Sequence, residues 1–246
     1  MERVYAFRKE LNENLRPSWP KTTTITLTSC HLKSIGVTID KTRIETVFSK
    51  MKVIPIYYGN VKKPFEWKQF YSDFYNQTSI GYTDCLSTKK VKIFPNGSLQ
   101  IAGCADMLDC NRFICQLCFI MNMVYKVEIP PESFKIAMYN SSFSMNHIID
   151  VYTLIEILNK KNLVYQYDPD RYSAVKVKIQ MGERKVTVSI FVTGSVLITG
   201  ARHEDDISDV YITISKILLS EGIFIEENRK NIPDVYMGYP VDQWFS

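Results

Sequence analysis

Hydrophobic and polar positions alternate with a two-residue period along two stretches of the chain. In "TVSIFVTGSVLITGA" (187–201), Val188, Ile190, Val192, Val196 and Ile198 fall on one face, and Thr187, Ser189, Ser195, Leu197 and Thr199 on the other. Such alternation predicts two half-buried strands. Thr193-Gly194 between them supplies the turn. One residue breaks the pattern: Phe191 is a large aromatic on the face turned away from the core. The stretch "KVKIFPNGSLQIAGC" (90–104) has the same layout, with Phe94, Gly97 and Gly103 matching Phe191, Gly194 and Gly200 at a constant offset of 97 (191 − 94). There Val91, Ile93, Leu99 and Ile101 form the core face. Lys90, Lys92, Phe94, Ser98, Gln100 and Ala102 form the other. Self-similarity of this kind marks a duplicated architecture.

After each hairpin the period changes to that of a helix. "HEDDISDVYITISKILLSEG" carries Ile207, Val210, Tyr211, Ile214, Ile217 and Leu218 at helical spacing. Glu204, Asp205 and Asp206 suit its first turn, where the dipole favours negative charge, and Gly222 suits its end. The first-half counterpart runs from about Asp106 to Met123. Upstream, "TITLTSCHLKSIGVTIDKTRIETVF" (24–48) and "FKIAMYNSSFSMNHIIDVYTLIEIL" (134–158) each read as a strand and then a helix, with Asp40 matching Asp150 at an offset of 110 (150 − 40). The excess of 13 (110 − 97) places an irregular insertion in the first half, within "KVIPIYYGNVKKPFEWKQFYSDF" (52–74).

The expected division is an N-terminal extension (1–21), a first repeat (22–130) with its insertion near 52–74, a second repeat (131–222) and a C-terminal extension (223–246). Phe7, Leu11 and Leu15 predict a short amphipathic helix before Pro17. The expected fold class is α+β. Two pseudo-symmetric halves form one curved antiparallel sheet, joined so that one exposed edge of each is covered. Helices pack on the convex, apolar face. The concave face, bearing Phe94 and Phe191, stays open.

Composition narrows the chemistry. With 46% hydrophobic and 23% charged residues the chain is of ordinary globular type. A net charge of +4 permits a nucleic-acid or acidic partner without requiring one. No 18-residue apolar run and no apolar leader occur, so an intracellular, unexported protein without a membrane span is expected. Cys30, Cys85, Cys104, Cys110, Cys115 and Cys118 are then expected to be reduced. The spacing of the last four fits no common zinc pattern. Cys110 and Cys118 share a helical stripe with Met107, Ile114, Leu117 and Met121, as small buried apolar residues would. No metal or other cofactor is expected. His31, His147 and His203 are scattered and form no triad, and no metalloprotease or phosphate-loop motif is present, so an enzyme is not expected.

"SIFVTGSVLITGAR" (189–202) closely resembles the second-repeat hairpin of the TATA-box-binding protein family. "YDPDRYSAVKVKI" (167–179) resembles the strand before it, and "FKI" (134–136) the opening of that repeat. The resemblance covers about 22–222 and is strongest over 167–202. The divergence and the insertion are similar to the forms found in large DNA viruses. The resemblance implies a saddle that binds the minor groove of AT-rich double-stranded promoter DNA through its concave sheet, as a monomer, with phenylalanine wedges kinking the duplex as members of that family do. It also implies partners in a transcription factor of the TFIIB type and the RNA polymerase machinery, in a nucleus or, for a viral protein, in host cytoplasm or a viral factory.

Residue by residue, the resemblance makes Phe191 and Phe94 wedges and gives the second wedge of the second half to Tyr172. Leu197 and Thr199 take base-edge positions, with Ser189 on their face. Lys178 aligns with a family arginine near phosphates. Lys176, Lys90 and Lys92 share the open faces, where cations supply affinity and salt dependence without reading sequence. Asp168 and Asp170 match an acidic stirrup presented to the next factor.

The chain also departs from the family. Met138 stands where the family has an asparagine that reaches base acceptors, and Asn140 where it has a valine; the first-half equivalents fall near Thr28 and Cys30. Gln100 and Ala102 replace a valine and a threonine. Phe74 and Tyr75 are the nearest aromatics to a second wedge in the first half. These losses leave open relaxed specificity, contact through the second half alone, or a protein-interaction scaffold in transcription with little DNA affinity. A further reading is an accessory saddle beside a nucleic-acid enzyme. The aromatic tail, with Tyr236, Tyr239, Trp244 and Phe245, is a candidate to fold over the open face and bury both phenylalanines.

Overall fold

A computed structural model describes residues 1–29, 54–58, 61–70, 77–83, 87–94, 96–104, 106–126, 128–220, 222–228, 233–236 and 239–245. Asp40, Cys30, His31, Phe74, Tyr75 and Cys85 lie outside them. In chain order the elements are α1 (Glu2–Lys9), β1 (Lys21–Ser29), β2 (Ile54–Tyr58), β3 (Val61–Phe70), β4 (Thr78–Thr83), β5 (Thr88–Ile93), β6 (Ser98–Ala102) and α2 (Met107–Tyr125). There follow β7 (Phe134–Ser144), β8 (His147–Ile149), α3 (Val151–Lys160), β9 (Tyr165–Asp168), β10 (Tyr172–Met181), β11 (Arg184–Phe191), β12 (Ser195–Ala201) and α4 (Glu204–Leu218). The tail holds β13 (Phe224–Glu227), β14 (Val235–Tyr236), β15 (Tyr239–Pro240) and α5 (Val241–Phe245). Two compact units result: a first, Thr22–Met138, and a second made of Met1–Lys21 with Tyr139–Ser246.

Each unit is α+β, as expected. The first has the antiparallel order β2-β3-β4-β5-β6-β1, and the second β7-β12-β11-β10-β9. Strands β3 to β6 and β1 match β9 to β12 and β7 one for one, leaving β2 without a counterpart. The core faces lie where alternation puts them: Val91, Ile93, Leu99 and Ile101, and Val188, Ile190, Val196 and Ile198, are all at most 1% exposed. Helix α2 covers the first set, with Phe113 against Tyr82 at 5.2 Å between ring centroids. Its buried stripe includes Cys110, Ile114, Leu117, Cys118 and Met121. A hydrogen bond to Cys110 and burial hold the Cys104 thiol far up, and burial lifts Cys118 to about 12, so both stay protonated and unreactive. Helix α4 covers the second set, with Tyr211 against Phe143 at 4.5 Å. Asp106 caps α2 by accepting from the Asp109 N–H at 2.9 Å.

The structure corrects several expectations. Val192 is 44% exposed, because β11 ends at Phe191 and the chain turns there, with Gly194 N–H donating to the Phe191 carbonyl at 2.9 Å. Within the expected irregular insertion, β2 and β3 pair antiparallel, and β2 is the strand the second half lacks. Pro55 of β2 and Pro64 of β3 are partners in that pairing. Helix α1 stops at Lys9 and buries Val4, Tyr5 and Arg8; Leu15 is 40% exposed. Asn12 accepts from the Asn14 N–H and starts a separate 3-10 turn, which breaks the helical phase joining Phe7 to Leu11 and Leu15. Helix α4 ends at Leu218, short of Gly222. Finally, β1 pairs Thr26 with Gln100 while β7 pairs Ser142 with Leu197, an offset of 116 (142 − 26) rather than 110. The first-half equivalents of Met138 and Asn140 are therefore Thr22 and Thr24, not Thr28 and Cys30.

The described part of the tail does not lie over Phe191. Strand β13 pairs with β8, and Phe224 stacks on His147 at 4.7 Å. Phe245 packs on Tyr5 and Trp19 at 5.3 and 5.8 Å, and Asp234 binds the Arg8 guanidinium and accepts from the Trp19 N–H. The tail is anchored to the N-terminal segment by aromatic contact and one half-buried ion pair.

Candidate nucleic-acid interface

Strand pairing gathers most of the expected residues of the second unit on one open face. Gln166, Lys176, Ser189, Leu197 and Ser142 form one cross-strand row, and Lys178, Thr187 and Thr199 form the next. All of these but Ser142 line a shallow groove of about 490 Å³. Phe191 borders it, half-buried on the open side, with Tyr172 meeting its ring edge-on at 5.8 Å. The Lys176 ammonium stands 4.2 Å from the centre of the Tyr172 ring, a cation–π contact that holds the ring over the face. Tyr172 and Phe191 thus form an aromatic pair outside the helix-covered core. Ser189 forms the floor, only 4% exposed. The Thr199 hydroxyl donates to the Thr187 carbonyl at 3.2 Å, and the Asn140 side-chain oxygen accepts from the Gly200 N–H at 3.1 Å, where the β7–β12 register shifts. Asn140 is thereby committed to the backbone of its own sheet.

The first unit repeats this geometry with different side chains. Gly97 and Gly194 have φ of +79° and +80°, and Gly103 and Gly200 of +94° and +90°, conformations that favour glycine. The turn bond recurs as well, Gly97 N–H donating to the Phe94 carbonyl at 2.9 Å. Phe94 is half-buried on the open side. The rows here are Ser79–Lys92–Gln100–Thr26 and Gly81–Lys90–Ala102–Thr24, around a groove of about 460 Å³.

Asp168 ends β9, and Asp170 lies in the turn that follows it. Asp170 is exposed, while Asp168 is half-buried and pairs with Arg171 at 3.5 Å. Sequence reasoning missed Gln166, Ser79, Thr24 and Ser142 as members of the faces. They lie on neighbouring strands, and only cross-strand register could bring them in.

Fold and faces define a class: a duplicated α+β protein whose antiparallel sheets each keep one face open, with an aromatic residue and lysines on it. Residues 133–220 match the family described as transcription factor TFIID, or TATA-binding protein. A TATA-box-binding protein-like protein of Acanthamoeba polyphaga mimivirus is 28% identical over 238 residues, covering 80% of this chain and 64% of that protein, so the chain spans less than two thirds of that relative's length. The chain is thus similar to the family over residues 133–220, and to a divergent viral TATA-box-binding protein-like protein over most of its length. A TATA-box-binding protein of Picrophilus torridus is 24% identical over 140 residues, covering 54% of this chain and 70% of that one. Among solved structures, the TATA-binding protein of Methanococcus jannaschii is similar with a TM-score of 0.48 and 16% identity, over 81% of this chain and 97% of that one.

Proposed function

We propose that this protein is a transcription initiation factor that binds AT-rich promoter DNA in the minor groove through its open sheet faces, by binding rather than catalysis. The observation that carries the reading is the position of Phe191: half-buried at the border of a polar groove, packed edge-on by Tyr172, and outside the helix-covered core. A large ring kept at a solvent-facing edge suits insertion between base steps. Phe94 has the same place in the first repeat. Leu197 and Thr199 supply the small apolar and hydroxyl contacts that suit a groove with few distinguishing base atoms. Lys176 and Lys178 reach phosphates at its rim. Asp170, exposed beside Asp168, offers an acidic contact to a further factor of the TFIIB type. The repeats at 22–130 and 131–222 act on one duplex as a monomer.

The test is binding of a labelled AT-rich duplex at increasing salt, with the bend read by energy transfer between its ends. Steep loss of affinity with salt, and a bend that disappears in Phe191→Ala and Phe94→Ala while both variants stay folded, are expected. Weak, salt-insensitive binding by folded protein would replace this reading with that of a transcription scaffold on the same fold.

A further inference from the structure

The two open faces share a backbone plan but not a chemistry. In the second unit the middle strand β11 puts Thr187 and Ser189 at the centre of the face, and its lysines, 176 and 178, lie one strand further out on β10. In the first unit the equivalent central positions are Lys90 and Lys92 on β5 (187 − 97 and 189 − 97), both exposed. Their inner neighbours are Ala102 and Gln100, in place of Thr199 and Leu197. In the row of Lys92, the Thr26 hydroxyl oxygen is buried without a hydrogen-bond partner, a polar group already placed in the floor of a polar face.

A lysine ammonium is a compact, strongly hydrated charge on a long flexible stem. Two of them in the middle of a sheet keep the floor of their rows away from base edges in a groove only about 6 Å wide, while Phe94 lies beyond the end of β5, outside those rows. They also stand two strand residues apart, roughly 6.6 Å along β5, close to the spacing of successive phosphates on one nucleic-acid strand. From this we infer that the first unit grips duplex DNA by its phosphate backbone, with Lys90 and Lys92 each on a phosphate, and reads no bases, leaving base reading to Leu197 and Thr199 of the second unit. The inference rests on the DNA-binding function proposed above.

The experiment compares the full chain with Lys90→Gln/Lys92→Gln, Lys90→Arg/Lys92→Arg and Leu197→Ala/Thr199→Val, on AT-rich and GC-rich duplexes from 50 to 200 mM salt. Each phosphate contact contributes about 0.9 to the slope of log affinity against log salt, so the glutamine variant loses about 1.8 of slope and its deficit against wild type shrinks about 12-fold over that range. Its AT-to-GC preference stays at the wild-type value. The arginine variant keeps the wild-type slope, which a purely structural role for the two positions would not produce. The Leu197/Thr199 variant keeps the slope and loses preference. A glutamine variant with unchanged slope, or with lost AT preference, overturns the inference while leaving DNA binding itself intact. Wild type that binds neither duplex overturns both.

Discussion

Replacing Asp109 by asparagine removes the carboxylate that meets the Lys89 ammonium at 2.9 Å beneath the first sheet. The two side chains are 2% and 0% exposed, so water screens neither. At that separation the attraction is roughly 6 kcal/mol for an effective dielectric of about 20, which largely offsets the several kcal/mol needed to desolvate each ion. The intact pair is therefore close to neutral, and its breakage is not. Asp109→Asn should cost about 3–5 kcal/mol, because the Lys89 charge stays buried without its carboxylate. Lys89→Met should cost less, about 1–2 kcal/mol, since Asp109 keeps Arg112 at 2.7 Å and the Ser87 hydroxyl at 3.1 Å. The second repeat already uses an apolar residue at the matching place, Val186, 1% exposed. The double variant Lys89→Met/Asp109→Asn should then recover about 1 kcal/mol relative to Asp109→Asn alone, which with the Lys89→Met loss makes a coupling of about 2–3 kcal/mol, within the range for contacting residues. Urea unfolding of the four proteins, read by circular dichroism at constant slope, measures the cycle. A double variant as unstable as Asp109→Asn, within about 0.5 kcal/mol, would refute the assignment of the loss to a stranded lysine.

Gly194→Ala should unfold the second hairpin: φ is +80° and a Cβ would stand 2.0 Å from the His147 carbonyl oxygen. Gly182→Ala, at φ +60° with nothing within 4 Å, should cost only the left-handed strain of about 1–2 kcal/mol, and comparable melting temperatures for the two would be the refuting result. Burial opposes ionisation of Asp206, but the Arg202 and His203 N–H groups and the Arg184 guanidinium outweigh it and hold the carboxyl below its usual range. Its stabilisation is complete above the unfolded value near 3.9 and is lost as pH falls through the lower folded value, so the melting gap between wild type and Asp206→Asn should be full at neutral pH and close only below about pH 4. Val192→Ser should change stability by less than about 0.5 kcal/mol, as exposed positions do, whereas Val188→Ala should lose about 2 kcal/mol; equal losses in urea would put Val192 back in the core.

Alternation along 90–102 and 187–199 was enough to separate core from open face in both hairpins, because a period of two admits no intermediate: a one-residue slip turns every side chain over. It therefore placed Phe94 and Phe191 on the open side and marked Lys90, Lys92, Gln100 and Ala102 as their companions. The 97-residue spacing of glycines was legible for a related reason, since each meets a requirement of a few consecutive backbone torsions. Alternation did not reveal that Lys89, on the same face as Val91, is an interior cation. Its partner lies twenty residues on (109 − 89), and only packing of α2 on β5 joins them. The β1 register was misread because two polar, serine- and threonine-rich strands align almost equally well at several offsets, and hydrogen bonding to β6 and β12 chose 116.

By itself, then, the sequence determined which faces exist, which residues share them and where the turns fall, because these follow from local periodicity and from torsions that glycine alone adopts readily. Tertiary structure decided which strands lie side by side, that Tyr172 meets Phe191 under the Lys176 charge, and that the aromatic tail goes to Trp19 and Tyr5 rather than over the open face. Those outcomes depend on contacts between residues far apart in the chain, whose energies no short stretch contains.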